Sequence, residues 1–291
     1  MTIEVICPLY NAEKYIRDLD SGIKRQKNVN IQKISYILTE SDDNTKQILN
    51  EIAAKYDEIK LEEFSHSLSR EKIAMKSGAD ILVFITQDVE IRDDDWLEKL
   101  VMPIINNEAE ASFSRQLTKF NNIEKYTREK NYPNESYIVS KKDIERFGLR
   151  TFFFSDASSA INRKVFQTLN GYDQKDLPTN EDMYIAYKLI LNDYKIKYCS
   201  DSVVYHSHQF SLKQLYKRYY ATGLFFSQNK YLNEYDTTKA GKNLAIYILK
   251  RIIEEKDFRS LMRFFPDMII RFVANKIGIY IGTLQRRKLC K

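Results

Sequence analysis

The sequence predicts an α/β fold, with a mostly parallel central sheet and a C-terminal helical extension. In the first half of the chain, short apolar or β-branched runs alternate with helical patterns, as they do in consecutive βαβ units. The composition is that of a globular chain, because 43% of the 291 residues are hydrophobic while only 8 are glycine and 5 are proline. From residue 236 onwards, helical patterns of apolar and basic residues indicate the extension.

Four strands and three helices are predicted in the first third of the chain. The strands are Ile3–Leu9, Ile34–Thr39, Lys60–Phe64 and Ile81–Thr86, and the helices are Ala12–Gln26, Thr45–Tyr56 and Ser69–Gly78. Ligands of open parallel sheets bind beyond the carboxyl ends of the strands. The segments that follow the four strands contain PLYNAEKY, ESDDNT, SHSLSR and QDVEIRDDD, which are rich in hydroxyl, carboxylate and basic groups. We therefore expect the functional site at this edge of the sheet.

The second half of the chain is less regular. Further predicted elements are a strand over Ala157–Asn162, a helix from Lys164, a turn at Gly171–Asp173, two short strands over Lys195–Cys199 and Ser202–Tyr205, and a helix over Leu212–Tyr231. Another helix is capped by Thr179 or Asn180 and has Glu181 and Asp182 in its first turn. Carboxylates at that position also interact favourably with the helix dipole, so the pair has a structural as well as a functional interpretation.

The charge is divided unevenly along the chain. The net charge is +6, but the segment from Lys239 to Lys291 has 13 Lys or Arg against 4 Asp or Glu, and the rest has 33 against 36. A basic C-terminal segment on an acidic body indicates a partner with a negative surface, contacted by that segment alone.

The cysteines and the N-terminus indicate a cytoplasmic protein. Cys7, Cys199 and Cys290 are far apart and form no CxxC pair, so neither a disulfide framework nor a zinc cluster is expected. Glu4 stands where a signal peptide would carry positive charge. No apolar run reaches the ~18 residues that a membrane-spanning helix needs.

Taken in order, the motifs resemble those of family 2 glycosyltransferases of the GT-A fold, over residues 3–235. Several longer strings are similar to the bacterial rhamnosyltransferase branch of that family: FSHSLSREKIAMKSGADILVFITQDVEIRDDDWL, SRQ at 114–116, YPNES, FFFSDASSAINR and VVYHSHQFSL. The resemblance implies an inverting, metal-dependent enzyme. Its expected donor is a nucleotide sugar, foremost dTDP-L-rhamnose, and its expected acceptor is a lipid-linked intermediate of a cell-wall, capsular or O-antigen polysaccharide.

The resemblance also implies a site for Mg²⁺ or Mn²⁺ after the fourth strand. The family's Asp motif corresponds to Thr86-Gln87-Asp88, in which Thr86 replaces the usual first aspartate. Asp88 is then the one motif carboxylate that can bind the ion, and His206 is the expected second ligand. A histidine satisfied within the core is the alternative interpretation of His206.

Donor-binding and catalytic residues follow from the same resemblance. The donor nucleotide sugar is expected to contact Pro8, Tyr10, Asn11, Glu40, Arg70, Thr86 and Gln87. Asp182 is assigned as the general base and Glu181 as its support, although the reverse assignment stays open. Contacts to the acceptor or the sugar are expected from His66, Asp156 and His208.

Two parts of the chain are thus expected, a GT-A catalytic domain over 1–235 and a basic amphipathic helical tail over 236–291. Basic amphipathic helices lie in the interface of anionic membranes, which predicts peripheral attachment at the inner face of the cell membrane. Packing of the tail on the catalytic domain or on a second copy of the chain is the alternative, and nucleic acid is not expected as a partner. Two alternative functions stay open: transfer of another hexose from a UDP-sugar, and a non-catalytic, membrane-bound scaffold, for which Thr86 is the argument.

Overall fold

A computed structural model describes residues 1–235 and 237–289. The first residue of the predicted tail domain, at position 236, and its last two, Cys290 and Lys291, lie outside the described residues. Within them the strands are β1 Thr2–Leu9, β2 Asn30–Thr39, β3 Tyr56–Ile59, β4 Ile81–Ile85, β5 Val89–Glu90, β6 Ala111–Leu117, β7 Tyr137–Val139, β8 Ser158–Asn162 and β9 Ile196–His206. The helices are α1 Ile16–Lys24, α2 Thr45–Glu51, α3 His66–Ala74, α4 Trp96–Ile105, α5 Ile123–Asn131, α6 Ile144–Phe147, α7 Arg163–Thr168, α8 Glu181–Leu191, α9 Leu212–Gln228, α10 Thr237–Glu254 and α11 Phe258–Leu289.

The strands form one mixed sheet in the order β3-β2-β1-β4-β8-β6-β9-β5, with β7 also paired to β9. Strands β3, β2, β1 and β4 are parallel, β8 runs antiparallel to β4 and β6, and β6 is parallel to β9. The carboxyl ends of β1, β2, β4, β6 and β9 therefore meet at one edge, together with the start of β8. This edge is where the predicted functional segments lie.

Two apolar clusters cover the two faces of the sheet. Ile6, Leu82 and Phe84 belong to one cluster, while Val5 and Val83 belong to the other. Every residue of β4 is buried. Burial on both faces explains why the central strands are continuous apolar runs rather than alternating ones.

Most predicted elements are confirmed, but the third strand, the end of the second helix and the division of β9 into two strands were predicted wrongly. The strand ends at Ile59, and the predicted segment Lys60–Phe64 instead contains a 3₁₀ turn, in which the Lys60 N–H donates to the Glu63 carboxylate over 2.8 Å. Helix α2 ends at Glu51 because Ala53 has a φ of 52°, which turns the chain back into β3.

The two short strands predicted near His206 are one strand, β9. Its pairing with β6 jumps from Cys199 opposite Ser114 to Val203 opposite Arg115, so the intervening residues form an irregularity that the sequence pattern shows as a gap. Pro266 lies inside α11. The missing N–H leaves only the carbonyl of the exposed Met262 without its helical donor.

The tail helices pack on the rest of the chain. Ile248 and Ile252 of α10 and Phe264 of α11 form a small core with Ile123 and Tyr126 of α5. No helix within residues 1–235 and 237–289 combines the length and the apolar character that crossing a bilayer requires.

Helices α9 and α11 approach most closely where both carry glycine. A Cβ at Gly278 would lie 2.2 Å from the carbonyl oxygen of Tyr220, and one at Gly223 would lie 2.2 Å from the carbonyl oxygen of Asn275. Both contacts are with backbone atoms, which cannot move aside as the end of a flexible side chain can. The two glycines therefore determine the spacing of the helices.

We predict that Gly278→Ala lowers the free energy of unfolding by about 1–3 kcal/mol, because the new methyl group forces the helices apart. The matched control is Gly241→Ala in α10, where a Cβ would meet nothing within 4 Å. That control should raise stability by about 0.5–1 kcal/mol, as Ala does at an unstrained helical site. Denaturant unfolding of both variants measures the difference, and a Gly278→Ala protein as stable as the parent would contradict the packing.

Candidate active site

The loops after β1 and β2 form one polar wall of the candidate site. Asn11 has a φ of 47°, and its backbone N–H donates to Ser41 Oγ over 3.1 Å, while its side-chain oxygen accepts from the Asp42 N–H over 3.0 Å. Tyr10 and Glu40 are exposed at the end of β1 and β2. The hydrogen bonds hold the two loops together, with these side chains directed outward at the predicted donor side.

Gln87 joins the loop after β4 to the loop after β1. Its side-chain oxygen accepts from the Tyr10 N–H over 2.7 Å, and its side-chain nitrogen donates to the Tyr10 carbonyl over 2.8 Å. Both ends of the amide are therefore engaged with the backbone of a predicted donor-binding residue. The neighbouring Thr86 has a buried hydroxyl that lacks a hydrogen-bond partner among the described residues.

Asp88, His206 and His208 converge at the carboxyl ends of β4 and β9. Asp88 Oδ2 lies 3.4 Å from His206 Nε2 and 3.7 Å from His208 Nδ1. One ligand atom from each residue lies within 4.8 Å of the other two. The structure thus brings together the two predicted metal ligands and adds His208, which was expected to contact acceptor or sugar.

The protonation states in this cluster suit a cation. Burial raises the pKa of Asp88, but the adjacent His206 and His208 outweigh it, so the pKa lies below its ordinary value. Burial lowers the pKa of His206, and burial followed by the neighbouring His206 lowers that of His208 to about 3. At neutral pH the cluster is one carboxylate with two neutral imidazoles, which is the form that binds metal.

A second layer behind His206 orients its ring. His206 Nδ1 lies 2.9 Å from Gln116 Oε1 and 3.3 Å from Arg128 Nη2, and the Arg128 guanidinium also donates to Gln116 Oε1. Gln116 in turn donates to Ser155 Oγ over 2.8 Å. An Nδ1–H bond to Gln116 leaves the Nε2 lone pair facing Asp88. The string SRQ at 114–116 carries no local signal of this role for Gln116.

Arg70, which was predicted to contact the donor, is buried inside the protein. Its side chain is 2% exposed, and its Nη1 donates to the His66 carbonyl over 2.7 Å and to Glu181 Oε1 over 3.1 Å. Arg70 therefore joins the start of α3 to the start of α8, while the His66 ring is exposed and stacks edge-on against Phe64.

Asp156 and Asp182 occupy different environments beside this ion pair. Asp156 is 2% exposed, and its two carboxylate oxygens accept from Ser159 Oγ at 2.8 Å and Tyr172 OH at 2.7 Å. Asp182 is half-buried, and its one hydrogen-bond partner among the described residues is the Met183 N–H at 2.7 Å. Burial raises the pKa of Asp182 well above its ordinary value, and the charges of Glu181 and Asp156 raise it further. Asp182 is thus the carboxylate of this group with capacity for a further hydrogen bond.

Arg218 of α9 is a cation that sequence reasoning missed. Its guanidinium carbon lies 5.5 Å from the centre of the Phe210 ring, which stacks on His208 at 4.7 Å. Burial has the largest effect on the pKa of His206, His208 and Asp182, and the positive charge of Arg218 lowers the pKa of all three. A positive side chain at this position complements the negative charge of a phosphate ligand. The helical pattern of α9 carries no signal that distinguishes it from other surface arginines.

Comparison with known proteins gives a matching family and two similar proteins of known activity. The family described as Glycosyl transferase family 2 matches residues 4–169. The chain is 32% identical over 229 residues to the O-antigen chain rhamnosyltransferase RfbN of Salmonella typhimurium, a match that covers 77% of this chain and 72% of that protein. WbaN, an O-antigen chain rhamnosyltransferase of Salmonella anatum, is 32% identical over 232 residues, or 78% and 73% of the two chains.

Solved structures with the same fold have lower sequence identity. The mannosyltransferase PcManGT of Pyrobaculum calidifontis, in complex with GDP-Man and Mn²⁺, matches with a TM-score of 0.64 and 13% identity over 97% of this chain and 86% of that one. S. aureus TarS 1–349 in complex with UDP-GlcNAc matches with a TM-score of 0.58 and 15% identity over 99% and 92%. These likenesses confirm the predicted GT-A fold.

Proposed function

This chain belongs to glycosyl transferase family 2 and is a glycosyltransferase, and on that premise we propose that it moves L-rhamnose from dTDP-L-rhamnose to a lipid-linked polysaccharide intermediate. The identity to two O-antigen chain rhamnosyltransferases, over more than two thirds of each chain, carries the proposal. Charge and hydrogen-bonding groups at the carboxyl edge of the sheet support it, because a diphosphate donor needs cations and a sugar acceptor needs a base.

Asp88, His206 and His208 fit a divalent cation. Their three ligand atoms are mutually close, and they offer one carboxylate oxygen and two neutral nitrogens. Both Mg²⁺ and Mn²⁺ accept carboxylate oxygen, but two imidazoles favour Mn²⁺ over Mg²⁺. When bound there, such an ion would supply positive charge that offsets the charge of the diphosphate leaving group. An Nδ1–H bond to Gln116 would hold His206 in the tautomer that metal binding requires. The Thr86 hydroxyl, which has no hydrogen-bond partner among the described residues, is proposed to contact donor or water.

Asp182 is proposed as the general base of an inverting transfer. Its carboxylate takes the proton of the acceptor hydroxyl, whose oxygen bonds to the anomeric carbon as the bond between that carbon and the diphosphate oxygen breaks on the opposite face. A raised pKa increases the proton affinity that this step needs. Glu181 is held 3.1 Å from Arg70 and is therefore assigned to positioning rather than to proton transfer.

We predict that Asp182→Asn lowers the rate of rhamnosyl transfer by about 10²- to 10⁴-fold while the affinity for the donor stays unchanged, because the amide cannot accept the proton. In the parent enzyme the rate should fall as the pH drops through the raised pKa of Asp182, since only the ionised carboxylate is a base. Initial rates with dTDP-L-rhamnose and calorimetric donor binding provide the measurements.

Asp193→Asn is the matched control, because it makes the same chemical change in a side chain that is 76% exposed beyond the end of α8. It should transfer rhamnose at the parent rate. Full transfer by Asp182→Asn would contradict the assignment of the base.

Attachment of α11 to an anionic membrane is part of the proposal, at the inner face of the cell membrane, where a lipid-linked acceptor is available. The outer face of α11 consists of large apolar side chains that are 59–79% exposed and recur every three or four residues: Phe258, Met262, Phe265, Ile269 and Phe272. The one acidic residue of this helix, Asp267, is buried, whereas Arg286 and Arg287 are exposed. Apolar contact and attraction to anionic lipid add together on such a face.

We predict that replacing Phe265 and Phe272 together by glutamate abolishes co-sedimentation of the full chain with vesicles of phosphatidylglycerol and phosphatidylcholine. Both side chains are about 60% exposed, so folding should be unaffected. Leu61→Glu, at a residue 56% exposed in the 3₁₀ turn after β3, is the control and should bind vesicles normally.

Failure of the parent protein to bind these vesicles would contradict the attachment. A dimer that light scattering detects in the parent and not in the double variant would instead assign the face to a second copy of the chain.

A further inference from the structure

A cavity of about 600 Å³ lies beside the candidate active site. Its walls come from the segment after β6, the segment after β9 and the first turns of α11, and they include Lys119, Asn121, Gln209, Phe210, Arg259 and Arg263. None of these residues has a role in the transfer chemistry described above.

The cavity shares a wall with the Asp88, His206 and His208 cluster. The Lys119 N–H donates to Ser207 Oγ over 2.9 Å, and the Asn122 side chain donates to the His208 carbonyl over 3.1 Å. In the order of the sheet, β6 and β9 lie on the far side of β4 from β1 and β2. The cavity is therefore separated from the donor loops by the candidate metal site, on the side that is left for an acceptor.

The lining of the cavity carries a surplus of positive charge. Its two acids are already paired, Glu124 with Arg271 at 2.9 Å and Asp267 with Arg263 at 2.5 Å. Lys119 pairs with Glu90 outside the lining. Arg259 has no ion-pair partner within residues 1–235 and 237–289, and it is exposed in the first turn of α11, where the helix dipole is also positive.

Large apolar side chains lie on the same turns of α11 as the cationic lining. Phe258 is 74% exposed, Met262 is 79% exposed and Phe265 is 59% exposed. A ligand that suits both features has an anionic group for the cavity and a hydrocarbon chain for the exposed ridge. A sugar nucleotide has the first but lacks the second.

We propose that this cavity binds the phosphate group of the lipid-linked acceptor, with Arg259 as the main cationic contact and the lipid lying along Phe258, Met262 and Phe265. The proposal rests on the proposed function, because it assigns a subsite to the acceptor of that reaction. Anchoring the phosphate here holds the glycan on the acceptor side of Asp88, within the same sheet edge as Asp182.

The test measures binding of three probes to the full chain by calorimetry: farnesyl diphosphate, inorganic pyrophosphate and farnesol. EDTA is present, so that no divalent cation draws a diphosphate to Asp88. The variant is Arg259→Glu. The control is Lys142→Glu, which makes a matched charge change in an exposed residue that follows β7, near the start of β9 and so at the opposite edge of the sheet.

Farnesyl diphosphate should bind the parent and the control alike, and Arg259→Glu should weaken it about tenfold or more, as expected for the loss of a charge-assisted hydrogen bond. Farnesol should not bind, and pyrophosphate should bind more weakly than farnesyl diphosphate. Equal binding of farnesyl diphosphate to Arg259→Glu and the parent would overturn the site. If pyrophosphate bound as tightly as farnesyl diphosphate, the assignment of the lipid chain to α11 would be wrong, and the cavity would be a site for free phosphate.

Donor hydrolysis separates this proposal from the function on which it rests. With Mn²⁺ and water as acceptor, Arg259→Glu should release dTDP from dTDP-L-rhamnose at the parent rate, since Arg259 is assigned to the acceptor alone. Hydrolysis that Arg259→Glu abolishes would place Arg259 in the donor site and overturn the proposal. If the parent itself neither binds nor hydrolyses the donor, the proposed function fails independently of what the cavity binds.

Discussion

Arg70 and Glu181 form an ion pair 3.1 Å long inside the protein, and the carboxylates of the candidate site are arranged around it. Burying acidic groups together is unfavourable unless a cation compensates them, and Arg70, which is 1% exposed, is that cation for Glu181 and Asp156. The pair connects α3 to α8 across the sheet edge. Because Glu181 is engaged in this way, the adjacent Asp182 is the carboxylate that we propose as the base.

The division of charge along the chain acquires a structural meaning. The acidic body and the basic tail are joined by ion pairs, among them Arg271 with Glu124 at 2.9 Å and Arg251 with Glu129 at 2.8 Å, so part of the tail's charge is used within the molecule. The cations left at the surface of α11 are the ones relevant to a partner. The parallel run of α9 and α11, set by their glycines, places the start of α11 beside the segment that follows β9. The proposed acceptor cavity, the apolar face of α11 and the candidate metal site are therefore neighbouring surfaces of one molecule.

Local pattern was sufficient to predict the elements and residue types at the sheet edge, because parallel strands bring the segments after Leu9, Thr39 and Ile85 together wherever the intervening helices lie. Local pattern was insufficient for features that depend on contacts between distant parts of the chain. The place of β3 depends on pairing with β2, and β9 is continuous because β6 supports it across an irregularity. Gln116 acquires its role only when β6 lies next to β9, and Arg70 proved buried because α8 covers it. None of these contacts leaves a local sequence signal.

Thermal unfolding with a panel of sugar nucleotides measures whether this edge of the sheet binds a rhamnose nucleotide through a divalent cation. The panel comprises dTDP-L-rhamnose, UDP-glucose, UDP-GlcNAc and GDP-mannose, each with and without Mn²⁺, on the parent protein and on Asp88→Asn. A ligand that binds only the folded state raises the midpoint, on the order of 5 °C when its concentration is about 100 times Kd. We expect the largest rise for dTDP-L-rhamnose with Mn²⁺ in the parent protein and the loss of that rise in Asp88→Asn. A rise that is equal without Mn²⁺ or in Asp88→Asn, or that is largest for another sugar nucleotide, would contradict this expectation.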